Sequence, residues 1–440
     1  MRAVAVSFAT LAFLVGCSSA NDQQATSSET PKTSIGDERG GAPSTGSGGG
    51  EYAGDGSGTS GPTAGGGGTG TTPTPGTLTA GAWDDNLNFD FYLSYVDKNA
   101  SLAGAPKIPR ADRLRIDVAD GAGLGVGGAT VVVRAGALKV FEGPTGSDGH
   151  VDVYPAWATV AAGTSLSIEA SLGTIKATAT ALAGDKTVKL GLAGASATLP
   201  PAVDVALMID TTGSMGDEIV YLRTEIASIA KAVSAGWPTV SQRWATVAYK
   251  DDGDEYVVKT SPFTGDPAAI QAQIAALSAD GGGDYPEAPD QALNATSKLE
   301  WRAGNVARLV FWIADAPHHV GKEASVVQSI QALRAKGVHV YPIAASGTDD
   351  LTELTMRSAA QLTAGRYLFL TDHSGVGGTH KEPSIPCYFV TRLDNAMKRM
   401  IAAELTGAYV APTAAEILRT GGDPKDGRCT LTDGQQVVIY

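Results

Sequence analysis

From residue 200 onward, runs of apolar residues alternate with amphipathic stretches. Residues 203–209 are almost continuously apolar, the pattern of a strand buried on both faces. Ile219, Leu222, Ile226, Ile229 and Val233 then recur at steps of three and four, which places them on one stripe of a helix. Residues 244–249 and 256–259 read as a hairpin. Ile270, Ile274 and Leu277 mark a second helix, and residues 287–299 a third. A second strongly apolar strand is predicted over 306–314, then a helix over 324–336 stopped by Gly337 and a strand over 338–344. A helix over 349–364 stopped by Gly365, a strand over 367–370 and a helix over 389–405 complete the series. Strands alternating with helices predict an α/β domain over residues 200–405, with a doubly wound, mostly parallel sheet flanked by helices.

The preceding segment has a different period. Leu114, Ile116 and Val118 alternate with polar residues, 129–133 is β-branched, Val151 and Val153 alternate again, and further strands are predicted over 165–170 and 187–192. Turn-rich breaks separate them, so residues 110–195 read as a small all-β sandwich. Residues 82–109 form a connecting segment whose aromatic-rich part, 89–96, reads as a strand or docking segment. Residues 17–81 are mostly Gly, Ser, Thr and Pro with few apolar side chains, too few to offset the entropy of ordering. They read as a disordered tether with a mean reach of about 40–45 Å. Residues 406–440 read as a loop-rich tail.

Charge narrows the partners. The net charge of -13 argues against nucleic acid and against anionic lipid surfaces, and it favours cations. At the amino terminus, Met1-Arg2 is followed by an apolar stretch, 3–15, too short to span a bilayer comfortably, and no later apolar run is longer. Residues 1–16 therefore read as a signal peptide. The chain has three cysteines: Cys17, Cys387 and Cys429. An exported compartment permits Cys387 and Cys429 to pair, and two separate thiols are the alternative.

Two predicted strands end in acid, at Asp210 and Asp315. Ligands of an open parallel sheet bind beyond the carboxyl ends of its strands. Thr212 and Ser214 add hydroxyls on the turn after Asp210. Carboxylate and hydroxyl oxygens without soft ligands suit a hard cation: Mg²⁺ first, with Mn²⁺ or Ca²⁺ as alternatives. The plainer reading of Asp-Thr-Thr-Gly-Ser is a turn and helix cap. The chain has no phosphate loop of Walker type and no H-E-x-x-H, and its Gly-Ser-Met-Gly is out of register for a nucleophile elbow. The expectation is a protein that is not an enzyme. The alternatives are a metal-assisted hydrolase using His318 and His319 with Asp315, or a scaffold that the metal only stabilises.

Three resemblances extend this reading. Leu14-Val15-Gly16-Cys17 resembles a bacterial lipobox, which implies cleavage before Cys17 and a diacylglycerol on its thiol. Ser18 stands where an aspartate would favour the inner membrane, so the outer membrane is the expected location. The run "GATVVV…TGSDGHVDV" is similar to carboxypeptidase regulatory-like and bacterial Ig-like modules. Finally, "VDVALMIDTTGSM" resembles the first strand and metal-ion-dependent adhesion motif of von Willebrand factor A domains. "WATVAYKDDGDEYVVKTSPFTGD", "DGGGDYPEAPDQAL" and "LVFWIAD" follow in the family's order. The resemblance implies that Asp210, Thr212, Ser214 and Asp315 bind the metal, with Asp284 in the place of the family's second-loop threonine. It implies a lipid-anchored adhesion or binding protein of the cell envelope, with a protein or glycan ligand at the metal. An extra carboxylate at Asp284 should tighten cation binding and weaken the draw on an acidic ligand.

Overall fold

The computed structural model describes residues 73–439. The leader, the lipidation expectation at Cys17 and most of the expected tether lie outside the described residues. Regular structure starts before the expected boundary at 82, with a strand, β1 (Thr79–Trp83). Of the two readings of residues 89–96, a strand or a docking segment, the strand is not observed: they belong to a helix, α1 (Phe89–Asn99). Tyr92 and Tyr95 stand three apart, so a helix puts both on one buried face, against Leu354.

Seven strands follow: β2 (Leu114–Ala119), β3 (Thr130–Ala135), β4 (Leu138–Pro144), β5 (His150–Val153), β6 (Ser165–Leu172), β7 (Ile175–Leu182) and β8 (Thr187–Gly191). They form two sheets, ordered β5-β2-β8 and β4-β3-β6-β7. Alternate residues of β2, β3 and β6 (Leu114, Ile116 and Val118; Val131 and Val133; Leu166 and Ile168) supply one core.

The remaining elements are β9 (Ala202–Asp210), α2 (Gly216–Gly236), β10 (Ser241–Tyr249), β11 (Val258–Thr264), α3 (Pro267–Ala275), α4 (Pro289–Ser297) and β12 (Ala307–Ala314). After them come α5 (Glu323–Ala335), β13 (His339–Ala344), α6 (Asp350–Leu362), β14 (Tyr367–Leu370), β15 (Tyr388–Arg392), α7 (Leu393–Thr406), β16 (Arg419–Gly421), β17 (Arg428–Thr430) and β18 (Gln436–Val438). Nine strands make one sheet in the order β11-β10-β9-β12-β13-β14-β1-β15-β16. Its central block, β10 to β14, is parallel. Every residue of β9 and β12 is buried, because helices cover both faces. Val205, Leu207 and Ile209 meet α2 and α7 through Ile219, Leu222, Ile226 and Met400. Ala206 and Met208 point the other way, toward Leu293, Val326, Ile330 and Met356. Burying each such large side chain contributes about 1.5–3 kcal/mol.

Three boundaries depart from the sequence reading. The expected helix over 389–405 begins as a strand, β15, and turns helical only at Leu393. The left-handed residue after α6 is Ala364, at φ 60°, rather than Gly365. Gly365 is required for closeness instead: a Cβ there would stand 1.9 Å from the Val340 carbonyl oxygen. The tail is partly regular, since β16 adds to the large sheet and β17 pairs with β18. A disulfide joins Cys387 to Cys429, with Cα atoms 6.4 Å apart. Asn88 then binds Val438 in both directions at 2.8 Å, holding this hairpin against the start of α1.

β1 is fixed from two sides. It is antiparallel to both β14 and β15, and the buried Glu225 carboxylate of α2 accepts the N–H groups of Gly76, Thr77 and Leu78. The sandwich is seated by Arg334 of α5, which donates to the Asp152 carbonyl and lies over the Tyr154 ring. Among the described residues, no helix is long and apolar enough to cross a membrane.

Candidate metal centre

Asp210 is the last residue of β9, opposite Tyr249 of β10, while Ile209 stands opposite Ile313 of β12. β12 runs one residue further, and Asp315 follows it. Parallel neighbours end at the same edge, so the two carboxylates share one rim. Both side chains are withdrawn from solvent, at 0% and 3% exposure. Thr212 donates to Asp210 Oδ1 from its backbone N–H at 3.0 Å and from its hydroxyl at 2.7 Å. Its hydroxyl lies 3.2 Å from that of Ser214. The segment after β9 thereby closes into a tight turn that brings two hydroxyls to the rim.

These contacts leave something over. Asp210 Oδ2 and Asp315 Oδ1 are buried and have no hydrogen-bond partner. An unpaired buried polar atom costs about 1–3 kcal/mol, and more when it is charged. Burial first, and the Asp315 charge second, push the Asp210 carboxyl up to about 7. Burial raises Asp315 to about 6, with Glu218 and Asp217 adding to the rise while the Ser214 hydroxyl pulls the other way. Without a cation, the fold thus holds these two groups far from where free carboxyls titrate.

On the second loop, the acid turned toward the rim is not the expected Asp284. Asp284 is exposed, whereas Glu287, three residues on, is 3% exposed with its Oε2 unpartnered. Burial, then Asp210, Asp251, Asp254 and Asp315, push the Glu287 carboxyl up to about 9. The loop explains the exchange. Gly281 and Gly282 are both left-handed, at φ 72° and 77°. The Gly281 carbonyl accepts the Gly213 N–H at 3.0 Å, seating the loop on the turn that follows β9. A Cβ at Gly282 would stand 3.1 Å from both Glu287 Oε1 and Thr212 Cβ. Asp284 lies on the outer part of this turn. The chain returns through Pro286, and the Glu287 N–H pairs with the Pro317 carbonyl at 2.9 Å, turning the glutamate inward. A glutamate just ahead of the buried face of α4 was the available signal.

The neighbouring groups have separate tasks. His318 Nε2 meets the Gly104 carbonyl at 3.0 Å, and burial holds its pKa down. His319 Nε2 is 2.7 Å from Asp251. The two imidazoles are taken up by different partners. Buried Glu218, in the first turn of α2, accepts the Ser346 N–H and lies 2.9 Å from His380 Nε2. A separate cleft of about 460 Å³, lined by residues of the sandwich and the large sheet, shares no residue with the rim. Its histidines are held by their own carboxylates, His150 by Asp148 and His339 by Glu404.

Among the described residues, no three His, Cys, Asp or Glu side chains are grouped as a ready cage. The rim is two carboxylates and two hydroxyls, with Glu287 behind them. Hard oxygen donors, two of them unpartnered and buried, fit a small divalent cation that keeps some of its water.

The family comparison bears on the same stretch. Residues 204–377 match the family model described as von Willebrand factor A domain. This part of the chain is a von Willebrand factor A domain. The domain runs from β9 to the loop before β15 and contains every rim residue described above. The ariadne-like RING finger protein R811 of Acanthamoeba polyphaga mimivirus is 27% identical over 186 residues, 38% of this chain and 18% of that protein. The alpha-protein kinase vwkA of Dictyostelium discoideum is 27% identical over 128 residues, 29% of this chain and 20% of that one. The chain therefore spans about a fifth of the length of the curated relatives it matches. A solved von Willebrand factor type A structure from Catenulispora acidiphila is 17% identical, with a TM-score of 0.32, covering 56% of this chain and 47% of that one.

Proposed function

We propose that this chain is a lipid-anchored binding protein of the bacterial cell envelope, placed at the outer membrane by Cys17. Its von Willebrand factor A domain captures a protein or glycan ligand through a divalent cation. The cation is Mg²⁺ foremost, with Mn²⁺ or Ca²⁺ able to replace it. Asp210, Thr212, Ser214 and Asp315 hold the cation. It supplies a Lewis-acidic position at which a ligand oxygen can dock. The observation that carries this reading is the pair of buried, unpartnered oxygens, Asp210 Oδ2 and Asp315 Oδ1, on one rim. A cation bound between them would offset their desolvation.

A binding role fits the rim better than a catalytic one. His318 and His319 are engaged with Gly104 and Asp251. Capture from envelope extract tests the proposal. The full chain should retain a partner in Mg²⁺ and release it in EDTA, and Asp315→Ala should retain none. Equal capture by the parent in EDTA would contradict metal-dependent binding.

A further inference from the structure

Resting on the metal-dependent reading above, we infer that the partner offers this rim a cationic polypeptide segment, rich in arginine or lysine, and not an acidic one. Five segments meet at the carboxyl edge of the parallel strands: 211–217, which includes the first residues of α2, and 250–257, 279–288, 315–322 and 345–349. With Asp210 they hold eleven carboxylates against two lysines, Lys250 and Lys322. With every carboxylate counted as ionised, that is a formal net -9, beside a formal -13 for the whole chain. Lys250 is 1% exposed and spent on Asp280. Asp217, Asp252, Glu255 and Asp284 all face solvent. The buried, unpartnered oxygen of Glu287 lies within this same acidic edge.

One divalent cation at Asp210 and Asp315 removes two of those charges and leaves the edge strongly negative. A partner carboxylate approaching the metal would cross that field, whereas an arginine would be drawn along it. A neutral oxygen, such as a main-chain carbonyl, would then be the partner's group nearest Asp210 and Asp315, while the basic side chains meet the surrounding acids. Tyr285 supports arginine in particular. Its hydroxyl donates to the Gly347 carbonyl at 2.8 Å, which fixes the ring, yet the residue is 43% exposed. A fixed, exposed tyrosine among carboxylates suits a stacked guanidinium.

Fluorescence polarisation with two labelled probes tests this on the full chain in detergent and Mg²⁺: a short arginine–glycine peptide and its glutamate–glycine counterpart. The arginine peptide should bind, and raised salt should weaken it on the order of five-fold. Asp252→Asn with Glu255→Gln should weaken it several-fold. Glu142→Gln with Glu169→Gln, the same charge change on the sandwich, should not. Preference for the glutamate peptide, equal loss in both double variants, or no binding of either peptide would overturn the inference. Thermal melts with and without Mg²⁺, run on the same samples, report on the metal alone. Stabilisation by Mg²⁺ beside a failed peptide result sinks only this inference. No stabilisation sinks the metal reading itself.

Discussion

Arg357 of α6 and Asp85 form a two-pronged ion pair at 2.7 and 2.9 Å, with both side chains essentially withdrawn from solvent. The pair ties the segment after β1 to a helix some 270 residues later. Glu353 shares the guanidinium at 3.2 Å, and the Tyr95 ring lies 3.7 Å from its centre. Burial pushes the Asp85 carboxyl up despite the arginine beside it.

Removing one partner of this pair strands the other charge in the core. Asp85→Ala should therefore cost about 3–5 kcal/mol in urea unfolding. The double variant Asp85→Leu, Arg357→Met should lose less than the sum of the two single losses. Additive losses would mean that the two residues are not coupled as the geometry implies.

The disulfide has a similar reach, because it fastens the β17–β18 hairpin to the residue before β15. Closing a span of 42 residues contributes on the order of 4 kcal/mol in the chain-entropy description. Alkylation of the denatured, unreduced chain should label neither Cys387 nor Cys429. Two labelled thiols would contradict the pairing.

The large sheet was readable because its chemistry is local. The apolar run of β9 and the Ile219–Val233 stripe of α2 each state their own burial. β1 carries no such signal: Thr79-Ala80-Gly81-Ala82-Trp83 is short and weakly apolar, and it is a strand because β14 and β15 flank it. Gly81 also leaves room for the Phe369 ring, 2.2 Å from where its Cβ would be. At the rim, Asp210, Thr212, Ser214 and Asp315 follow from strand ends and one turn. Glu287 does not, because only the left-handed run at Gly281 and Gly282 decides which acid turns inward. The aromatic spacing in α1 was ambiguous until α6 supplied the surface it packs on.

Attachment should depend on Cys17. Cys17→Ser should move the chain from the membrane fraction to the soluble fraction, since stable anchoring of this kind relies on acyl chains. Unchanged fractionation would require a different anchor.

The metal-free rim should leave a mark on stability against pH. Asp210 has a folded pKa of about 7, above its ordinary value. A carboxyl raised in this way stabilises the fold fully below its unfolded pKa of about 3.9, and that stability is lost as pH rises through 7. In EDTA the parent should therefore weaken between about pH 4 and pH 7. Asp210→Asn should flatten that part of the profile. An unchanged slope in the variant would show that Asp210 is not the buried charge responsible.

Calorimetric titration of the EDTA-stripped chain with Mg²⁺ tests most directly whether the rim holds a divalent cation. The prediction is one site in the parent, lost in Asp210→Ala and in Asp315→Ala. Glu287→Gln should weaken it, and Asp284→Asn should weaken it less. Added Mg²⁺ should also raise the melting temperature of the parent, by the mass action of a ligand that binds only the folded state, and leave Asp315→Ala nearly unmoved. Equal Mg²⁺ affinity in the parent and in both aspartate variants would contradict the account.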